Sequence, residues 1–162
     1  MENQHTPRRM RDCMDEVLQT QGKLMAVDFG DVRTGLAVSD PSRILASGVE
    51  TVRPGSMTKT ALLVAERARE WNVSGIVIGY PVNMDGSEGP RAEHAQMFAG
   101  MVCEACPSVP VWLLDERMTT MAASRFLNET DTRGQKRKNV IDTLSAQIIL
   151  QNALDRIRHY RK

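Results

Sequence analysis

The sequence predicts a single α/β domain over residues 23–162, with a mixed five-stranded sheet flanked by helices, behind a polar extension over residues 1–22. Three short apolar segments joined by tight turns open the domain, and this pattern is typical of an antiparallel meander. The helical patterns and continuous apolar runs that follow are typical of βαβ units with buried parallel strands. A length of 162 residues and a hydrophobic content of 41% suit one domain.

The meander is expected over residues 24–52. Apolar segments at 24–29 and 35–39 flank a turn that carries Gly30 and Asp31. A third strand is predicted at 44–52, after a turn that begins at Asp40-Pro41. Gly, Asp and Pro are the residues that favour tight turns, so the three strands are predicted to be consecutive neighbours in the sheet.

The second half of the chain alternates helices with strands. Ser56 or Thr58 is a candidate N-cap for its first helix, and Pro90 suits the first position of the next helix. We predict helices at 56–71, from residue 90 onward, at about 119–127 and at 139–158, strands at 75–79 and 109–114, and a polar basic loop at 131–138.

Composition argues against several classes of protein. No apolar run approaches the roughly 20 residues that a membrane span needs, and residues 1–10 lack an apolar signal core, so we expect a cytoplasmic protein without membrane contact. Three cysteines, an odd number, indicate reduced thiols. Cys103 and Cys106 have the spacing of a redox or zinc pair, but no second pair of ligands matches them, which favours cysteines on a helix face.

Charge is distributed unevenly along the chain. Residues 133–162 carry eight Lys/Arg against two Asp/Glu, a balance of +6, and residues 1–132 carry 13 against 18, a balance of −5. The basic end suits a phosphate-rich partner. We therefore expect Arg133, Lys136, Arg137 and Lys138 to form a phosphate-contacting edge, the alternative being a solvated basic loop.

Asp28 is an ionisable residue at the end of an apolar strand. Removing a carboxylate from water costs several kcal/mol unless a cation, hydrogen-bond donors or protonation offsets the loss. The simplest explanation is that backbone amides or Arg33 satisfy this carboxylate. A bound cation is the alternative, and further acids in the chain favour it.

Two other acidic positions adjoin apolar sequence. Asp115 and Glu116 follow a buried strand at its carboxyl end, where open α/β sheets place their sites, although a solvated strand-to-helix turn explains them equally well. Asp142 precedes Ala146 and Ile149 at helical spacing, which predicts an inward-facing carboxylate. The alternative is that Asn139 caps the last helix and Asp142 takes its third position, where an acid favours the helix dipole.

Carboxylates from three separate elements would repel one another at a sheet edge unless a divalent cation lay between them. Hard oxygen ligands favour Mg²⁺ or Mn²⁺ over zinc. The usual chemistry of such a site is phosphoryl transfer with one or two metal ions. The acidic residues therefore indicate an enzyme that acts on phosphate esters.

Three blocks of sequence resemble the YqgF/RuvX family, whose members are described as Holliday-junction-resolvase-like and as nucleases that mature the precursor of 16S ribosomal RNA. The blocks are AVDFGDVRTGLAVSD at 26–40, IGYPVNMDGSEGP at 78–90 and DERMTT at 115–120, and IDTLSAQIILQ at 141–151 fits as well. The resemblance spans residues 23–155. It implies an RNase H-like fold and a metal-dependent hydrolase acting on nucleic acid phosphodiesters in ribosome biogenesis.

Carried over by position, the resemblance implies that Asp28, Glu116 and Asp142 are catalytic ligands of Mg²⁺ or Mn²⁺. Related Holliday-junction resolvases carry a fourth acid three residues after the last one, where this chain has Ser145. That difference weakens junction cleavage more than it weakens the metal site. Structured RNA, branched DNA and the ribosome precursor are the expected partners, and a monomer or weak dimer is the expected state.

Further residues are predicted to contact the substrate. The loop over residues 80–90 leaves the carboxyl end of a buried strand and offers Asn83 and Ser87 as donors, so we expect it to be a lid beside the acids. An ordinary connection of above-median length is the alternative. Arg33 and Arg117 flank two of the acids and are expected to contact the scissile phosphate.

Two other functions compete with a nuclease. An ATP-binding domain of the actin, Hsp70 and sugar-kinase type opens with a similar acidic, glycine-rich loop, but such proteins bind nucleotide between two domains of this topology. A chain of 162 residues supplies one. A non-catalytic nucleic-acid-binding regulator that has kept the fold is the other alternative, and only cleavage assays distinguish it from an enzyme.

Overall fold

The computed structural model describes residues 6–115 and 134–160, with the side chains of the second range from residue 143 onward. Six strands form one sheet in the order β1-β6-β5-β2-β3-β4. The strands are β1 (Arg8–Arg9), β2 (Leu24–Asp28), β3 (Thr34–Ser39), β4 (Ala46–Val52), β5 (Gly75–Tyr80) and β6 (Val111–Asp115). The helices are α1 (Met14–Gln19), α2 (Met57–Glu70), α3 (Pro90–Ala105) and α4 (Gly134–Tyr160), with a short 3-10 helix at Met10–Asp12.

The sheet has the predicted mixed topology. β2, β3 and β4 pair antiparallel, whereas β5 pairs parallel with both β2 and β6. The turn between β3 and β4 closes because the Asp40 carboxylate accepts hydrogen bonds from the backbone N–H groups of Ile44 and Leu45, both at 2.8 Å. The meander and the βαβ units are thus confirmed, in agreement with an RNase H-like fold.

The sheet has six strands rather than the predicted five. The additional strand is β1, in which Arg8 and Arg9 pair parallel with Trp112 and Leu113 of β6. Two arginines carry no hydrophobic period, so no local pattern indicates a strand there. The pairing covers the otherwise open edge of β6 and anchors a segment in which Met10 and Val17 are completely buried.

The helices agree with prediction except at the start of α4. Ser56 caps α2 by accepting a hydrogen bond from the Lys59 N–H at 3.1 Å, and Pro90 occupies the first turn of α3. α4 begins at Gly134, so Asn139 lies inside the helix, and the predicted N-cap and the part of the predicted basic loop from residue 134 onward are wrong. Gln, Lys and Arg favour helix, which explains why residues 135–138 join it. The helix predicted at about 119–127 lies outside the described residues.

Two apolar layers cover the sheet. Met25 and Val27 of β2 belong to the layer under α2 and α3, whereas Leu24 and Ala26 belong to the layer under α4 and α1. This alternation with a period of two assigns the two faces of every strand. By the same alternation, Asp28 lies on the face covered by α4. The fold therefore directs the carboxylate toward the helix that carries Asp142 in its sequence.

Candidate functional site

The carboxyl ends of β2, β5 and β6 meet at one edge of the sheet. The three strands are parallel, with Val27 opposite Ile78 and Tyr80 opposite Asp115. Asp28 is the last residue of β2, and Asp115 is the last residue of β6. Two strand spacings separate them, or roughly 10 Å between neighbouring backbones of this kind. Among the described residues, Asp28 and Asp115 therefore lie at the same edge of the sheet.

Asp28 is opposed by a glycine in the sheet. It is half-buried, and its partner in β3 is Gly35, which has no side chain. Side chains of directly opposed residues share one face of a sheet, so β3 places no side chain next to the carboxylate on the α4 side. The end of the strand is anchored by the stacking of Phe29 on Phe98, with ring centroids 4.3 Å apart.

The turn after Asp28 needs glycine at residue 30. A side chain there would overlap the backbone carbonyl of Arg33, which cannot move without opening the turn. The turn leaves Arg33 half-buried and Asp31 exposed. The Asp31 carboxylate lies 3.7 Å from Nδ1 of His94 on α3. The contact joins the loop to α3 beside the end of β2. Arg33, which was predicted to pair with the Asp28 carboxylate, lies in the same loop.

The two predicted donors in residues 81–89 are bonded to each other. The Asn83 amide donates to Oγ of Ser87 at 3.0 Å, and that hydroxyl donates to the Asp85 carboxylate at 2.6 Å. Both residues are exposed, as is most of the loop. Contact with a substrate stays a prediction, and it would require these hydrogen bonds to exchange for new ones.

Residues 81–89 also contact the amino-terminal strand. Arg9 donates to Glu88 at 2.8 Å, and its guanidinium lies 5.2 Å from the centre of the Tyr80 ring. The hydrogen bond from Tyr80 and the nearby Arg9 lower the pKa of Glu88. Burial, reinforced by the Glu88 charge, raises the pKa of Tyr80. An arginine from the extension thus joins the loop to the carboxyl end of β5.

Several predicted site residues lie outside what the structure describes. These are Glu116, Arg117 and Arg133, together with the side chains of Lys136, Arg137, Lys138 and Asp142. Within residues 6–115 and 143–160, no three acidic, histidine or cysteine side chains group as a metal site. Convergence of Asp28, Glu116 and Asp142 therefore stays a prediction.

The residue that follows Asp142 fixes the position of α4 over the sheet. Thr143 and Thr51 share a hydrogen bond between their hydroxyls at 2.8 Å. Ala146 and Ile149 are completely buried in the layer that also contains Ala26 and Ala37. The predicted apolar stripe of this helix is confirmed from residue 146 onward.

The cysteine pair is part of the core. Cys103 and Cys106 are buried free thiols near the end of α3, as predicted for cysteines on a helix face. Burial raises the pKa of Cys103 to about 11, and the neighbouring Cys106 adds to the increase. A thiol with so high a pKa is a poor nucleophile and metal ligand at neutral pH.

The sequence did not reveal a basic cluster beside Asp115. Arg9, Arg11 and Arg156 line a narrow cleft there with Tyr80. The only signal was the run of arginines at residues 8–11, which has no recognisable motif. Arg156 is 145 residues further along the chain than Arg11, so only the fold brings the two together.

The fold and its acidic edge define an α/β protein of the type that binds ligands beyond the carboxyl ends of parallel strands. A family model described as "RuvX: Holliday junction resolvase" matches residues 22–156. The chain belongs to this family.

Relatives with similar sequences carry the provisional name pre-16S rRNA nuclease. A Ruminiclostridium cellulolyticum protein is 39% identical over 142 residues, which is 86% of this chain and 99% of that protein. A Bradyrhizobium sp. protein is 43% identical over 142 residues, 88% of each chain. Among solved structures, a Thermus thermophilus RuvC bound to a Holliday junction substrate aligns with a TM-score of 0.48 and 15% identity, covering 79% of this chain and 91% of that one.

Proposed function

We propose that this protein is a nuclease that hydrolyses nucleic acid phosphodiesters with Mg²⁺ or Mn²⁺, and that it processes the 5′ end of precursor 16S ribosomal RNA. The observation that carries the proposal is Asp28, a half-buried carboxylate at the carboxyl end of the central strand, opposite a glycine, Gly35, that adds no side chain beside it. The name given to the relatives supports an RNA precursor as the substrate.

Glu116 and Asp142 complete the proposed ligand set. Trp112 and Leu114 of β6 face the α4 layer, and the two-residue period of the strand predicts that face for residue 116 as well. Asp142 precedes the buried Ala146 by four residues, one helical turn. All three carboxylates are thus expected on the α4 side of the sheet, at its carboxyl edge.

The donor set fits a hard divalent cation. Three carboxylates offer oxygen ligands and a charge of −3, which Mg²⁺ or Mn²⁺ would neutralise in part. When bound, such an ion lowers the pKa of water and stabilises the leaving oxygen of a phosphodiester. The protein residues orient the ion and the substrate. Arg33 and Arg117 neutralise charge at the scissile phosphate. Asn83 and Ser87 donate hydrogen bonds to the neighbouring part of the nucleic acid strand.

The basic residues at the start of α4 are proposed to hold the substrate backbone. The first two helical turns of α4 contain Lys136, Arg137 and Lys138, ahead of Asp142, and Arg133 precedes the helix in the sequence. Replacing the three with alanine should weaken binding to all nucleic acid sequences and lower the salt slope by about 0.7–0.9 per lost contact. An unchanged slope in this triple variant would mean that these residues do not touch phosphate.

A Holliday junction is the second candidate substrate, because the matching family model is described as a resolvase. Ser145, where related resolvases have a fourth acid, disfavours it. A cleavage assay distinguishes the two candidate substrates. The purified protein is incubated with a labelled RNA that carries the 5′ precursor flank of 16S rRNA and, separately, with a four-way DNA junction. Each reaction is run with Mg²⁺, Mn²⁺ or EDTA.

The decisive variant is Asp28→Asn, with Asp31→Asn as its matched control. Both remove one charge from the same loop region, but Asp31 is exposed and its contact with His94 is long, at 3.7 Å. Asp28→Asn should abolish metal-dependent cleavage, lose Mn²⁺ binding in calorimetry, and remain at least as stable as the wild type in EDTA. Asp31→Asn should retain metal-dependent cleavage and Mn²⁺ binding. Cleavage by Asp28→Asn at the wild-type rate, or wild-type cleavage in EDTA, would refute the proposal.

A further inference from the structure

The amino-terminal extension and the end of α4 meet beside Asp115. Arg11 follows β1 in the short 3-10 helix, and Arg156 lies in the last two turns of α4. Both side chains line the cleft that Asp115 closes at the end of β6. Two cations from opposite ends of the chain thus share one opening at the carboxyl edge of the sheet.

Both arginines are open to a ligand as far as residues 6–115 and 143–160 are concerned. Both are exposed, and the ion pair of the Arg11 side chain with Asp12 is long, at 3.9 Å. Arg9, the third arginine of the cleft, is engaged with Glu88. Three guanidiniums and the Asp115 carboxylate leave a formal charge of +2 on the residues that line the cleft. An anion would enter this cleft more readily than a cation.

The cleft lies in line with the candidate acids. Asp115 is roughly 10 Å from Asp28 by two strand spacings, and Glu116 is the next residue of the chain. Each strand of a duplex carries one phosphate per about 3.4 Å of helix axis. A backbone passing from Asp28 over the end of β6 would therefore reach Arg11 and Arg156 within a few nucleotides.

The geometry points to a phosphate-binding site at Arg11 and Arg156, which holds the backbone of a nucleic acid substrate a few nucleotides from the cut. This inference rests on the proposed nuclease function and extends it to a residue outside the family match, Arg11. The family model begins at residue 22 and ends at residue 156, so it includes Arg156 but not Arg11. The site is therefore assembled in part from a segment that the family pattern does not define.

The test compares the double variant Arg11→Gln/Arg156→Gln with the control Arg158→Gln. Arg158 lies on the same helix, is exposed and pairs with Asp155 at 3.1 Å, so its replacement removes a charge outside the cleft. Binding of a fluorescein-labelled RNA hairpin with single-stranded flanks is titrated in EDTA over a range of salt concentrations. A DNA duplex serves as the second probe, and Mg²⁺-dependent cleavage of the RNA is measured in parallel.

Loss of two phosphate contacts should lower the salt slope of hairpin binding by about 1.4–1.8. The ratio of wild-type affinity to that of the double variant should therefore fall about tenfold between 50 and 200 mM salt. The control should keep the wild-type slope. An unchanged slope in the double variant, or absence of nucleic acid binding by the wild type, would overturn the site. If the wild type binds but does not cut, and the double variant still loses slope, the phosphate site stands and the nuclease proposal fails.

Discussion

Gly48 controls how closely α4 approaches β4. A methyl group at this position would overlap Cγ2 of Thr143 and lie 3.1 Å from the Thr143 backbone oxygen. Carbon atoms attract one another at about 3.5–4.0 Å, so the helix would have to retreat by roughly 1 Å. Thr143 directly follows Asp142 in the sequence. The substitution Gly48→Ala therefore tests whether the seating of α4 positions the proposed metal ligand.

We expect Gly48→Ala to reduce both stability and cleavage. Overpacking a close contact costs about 1–3 kcal/mol, and for a protein of this size each kcal/mol lowers Tm by about 2–4 °C. A misplacement of about 1 Å at a catalytic group can lower the rate about 100-fold. The expected result is a loss of several degrees in Tm together with a fall in kcat that exceeds the effect on substrate binding.

The second substitution Thr143→Ser should reverse much of this loss. Serine lacks the methyl group that the new side chain would meet, but it keeps the hydroxyl that bonds Thr51 at 2.8 Å. Rescue should be partial, because the 3.1 Å approach to the backbone oxygen remains. Tm is measured by calorimetry and kcat on the RNA precursor, so the stability result holds even if the substrate assignment fails.

Gly100→Ala is the matched control. It adds the same methyl group within α3, where, apart from the neighbouring residues and backbone of the helix itself, no described atom lies within 4 Å of the new position. Alanine in a helix interior is more favourable than glycine by about 0.5–1 kcal/mol, so Tm should rise slightly and kcat should not change. The reasoning is refuted if Gly48→Ala matches the wild type in Tm and kcat, or if Thr143→Ser restores neither.

Three further predictions follow from the described contacts. Backbone N–H groups, that of Leu45 foremost, lower the pKa of Asp40 below its usual 3.8, so its stabilising effect is complete above pH 3.8 and is lost as the pH falls through the folded-state pKa. As the pH is lowered, the urea midpoint of unfolding should therefore fall less steeply for Asp40→Asn than for the wild type. An equally steep fall would contradict this. Glu16 accepts from Arg8 at 2.6 Å and from Trp112 at 2.9 Å, so Glu16→Ala should cost about 1–3 kcal/mol in urea unfolding and Glu16→Gln distinctly less. Cys103, with its pKa of about 11, should resist iodoacetamide at pH 8 in the native protein and react once urea unfolds it, as mass spectrometry will show.

Most of the sheet was predictable because its strands carry their own signal. β2 and β5 are apolar runs bounded by turn residues, and each structure boundary falls within one residue of its predicted end. The turn that begins at Asp40 was predicted from its residue types, and its carboxylate forms the expected local hydrogen bonds. Asp28 was identified because a charge in an apolar strand requires a physical explanation.

Two of the misses, β1 and the basic cleft, depend on tertiary contacts, whereas the start of α4 was missed because a capping signal was preferred to helix propensity. β1 consists of two arginines, and only the open edge of β6 makes them a strand. α4 was expected to begin at Asn139, because a capping residue there stood before an apolar stripe, but helix-forming residues extend it back to Gly134. The meeting of Arg11 and Arg156 depends on the crossing of α4 over the sheet, which no local pattern encodes.

The position of Arg9 links these tertiary features to the proposed chemistry. Arg9 pairs with Leu113 in β6, bonds Glu88 in the loop and lies over Tyr80 at the end of β5. Because Glu88 is largely open to water and salt, this ion pair adds little to the stability of the fold. The ion pair instead influences the position of residues 81–89 relative to Asp115. Because an exposed ion pair exchanges partners at small cost, the proposed binding of nucleic acid at Arg11 and Arg156 predicts that a phosphate oxygen can replace Glu88 on Arg9 and release the loop.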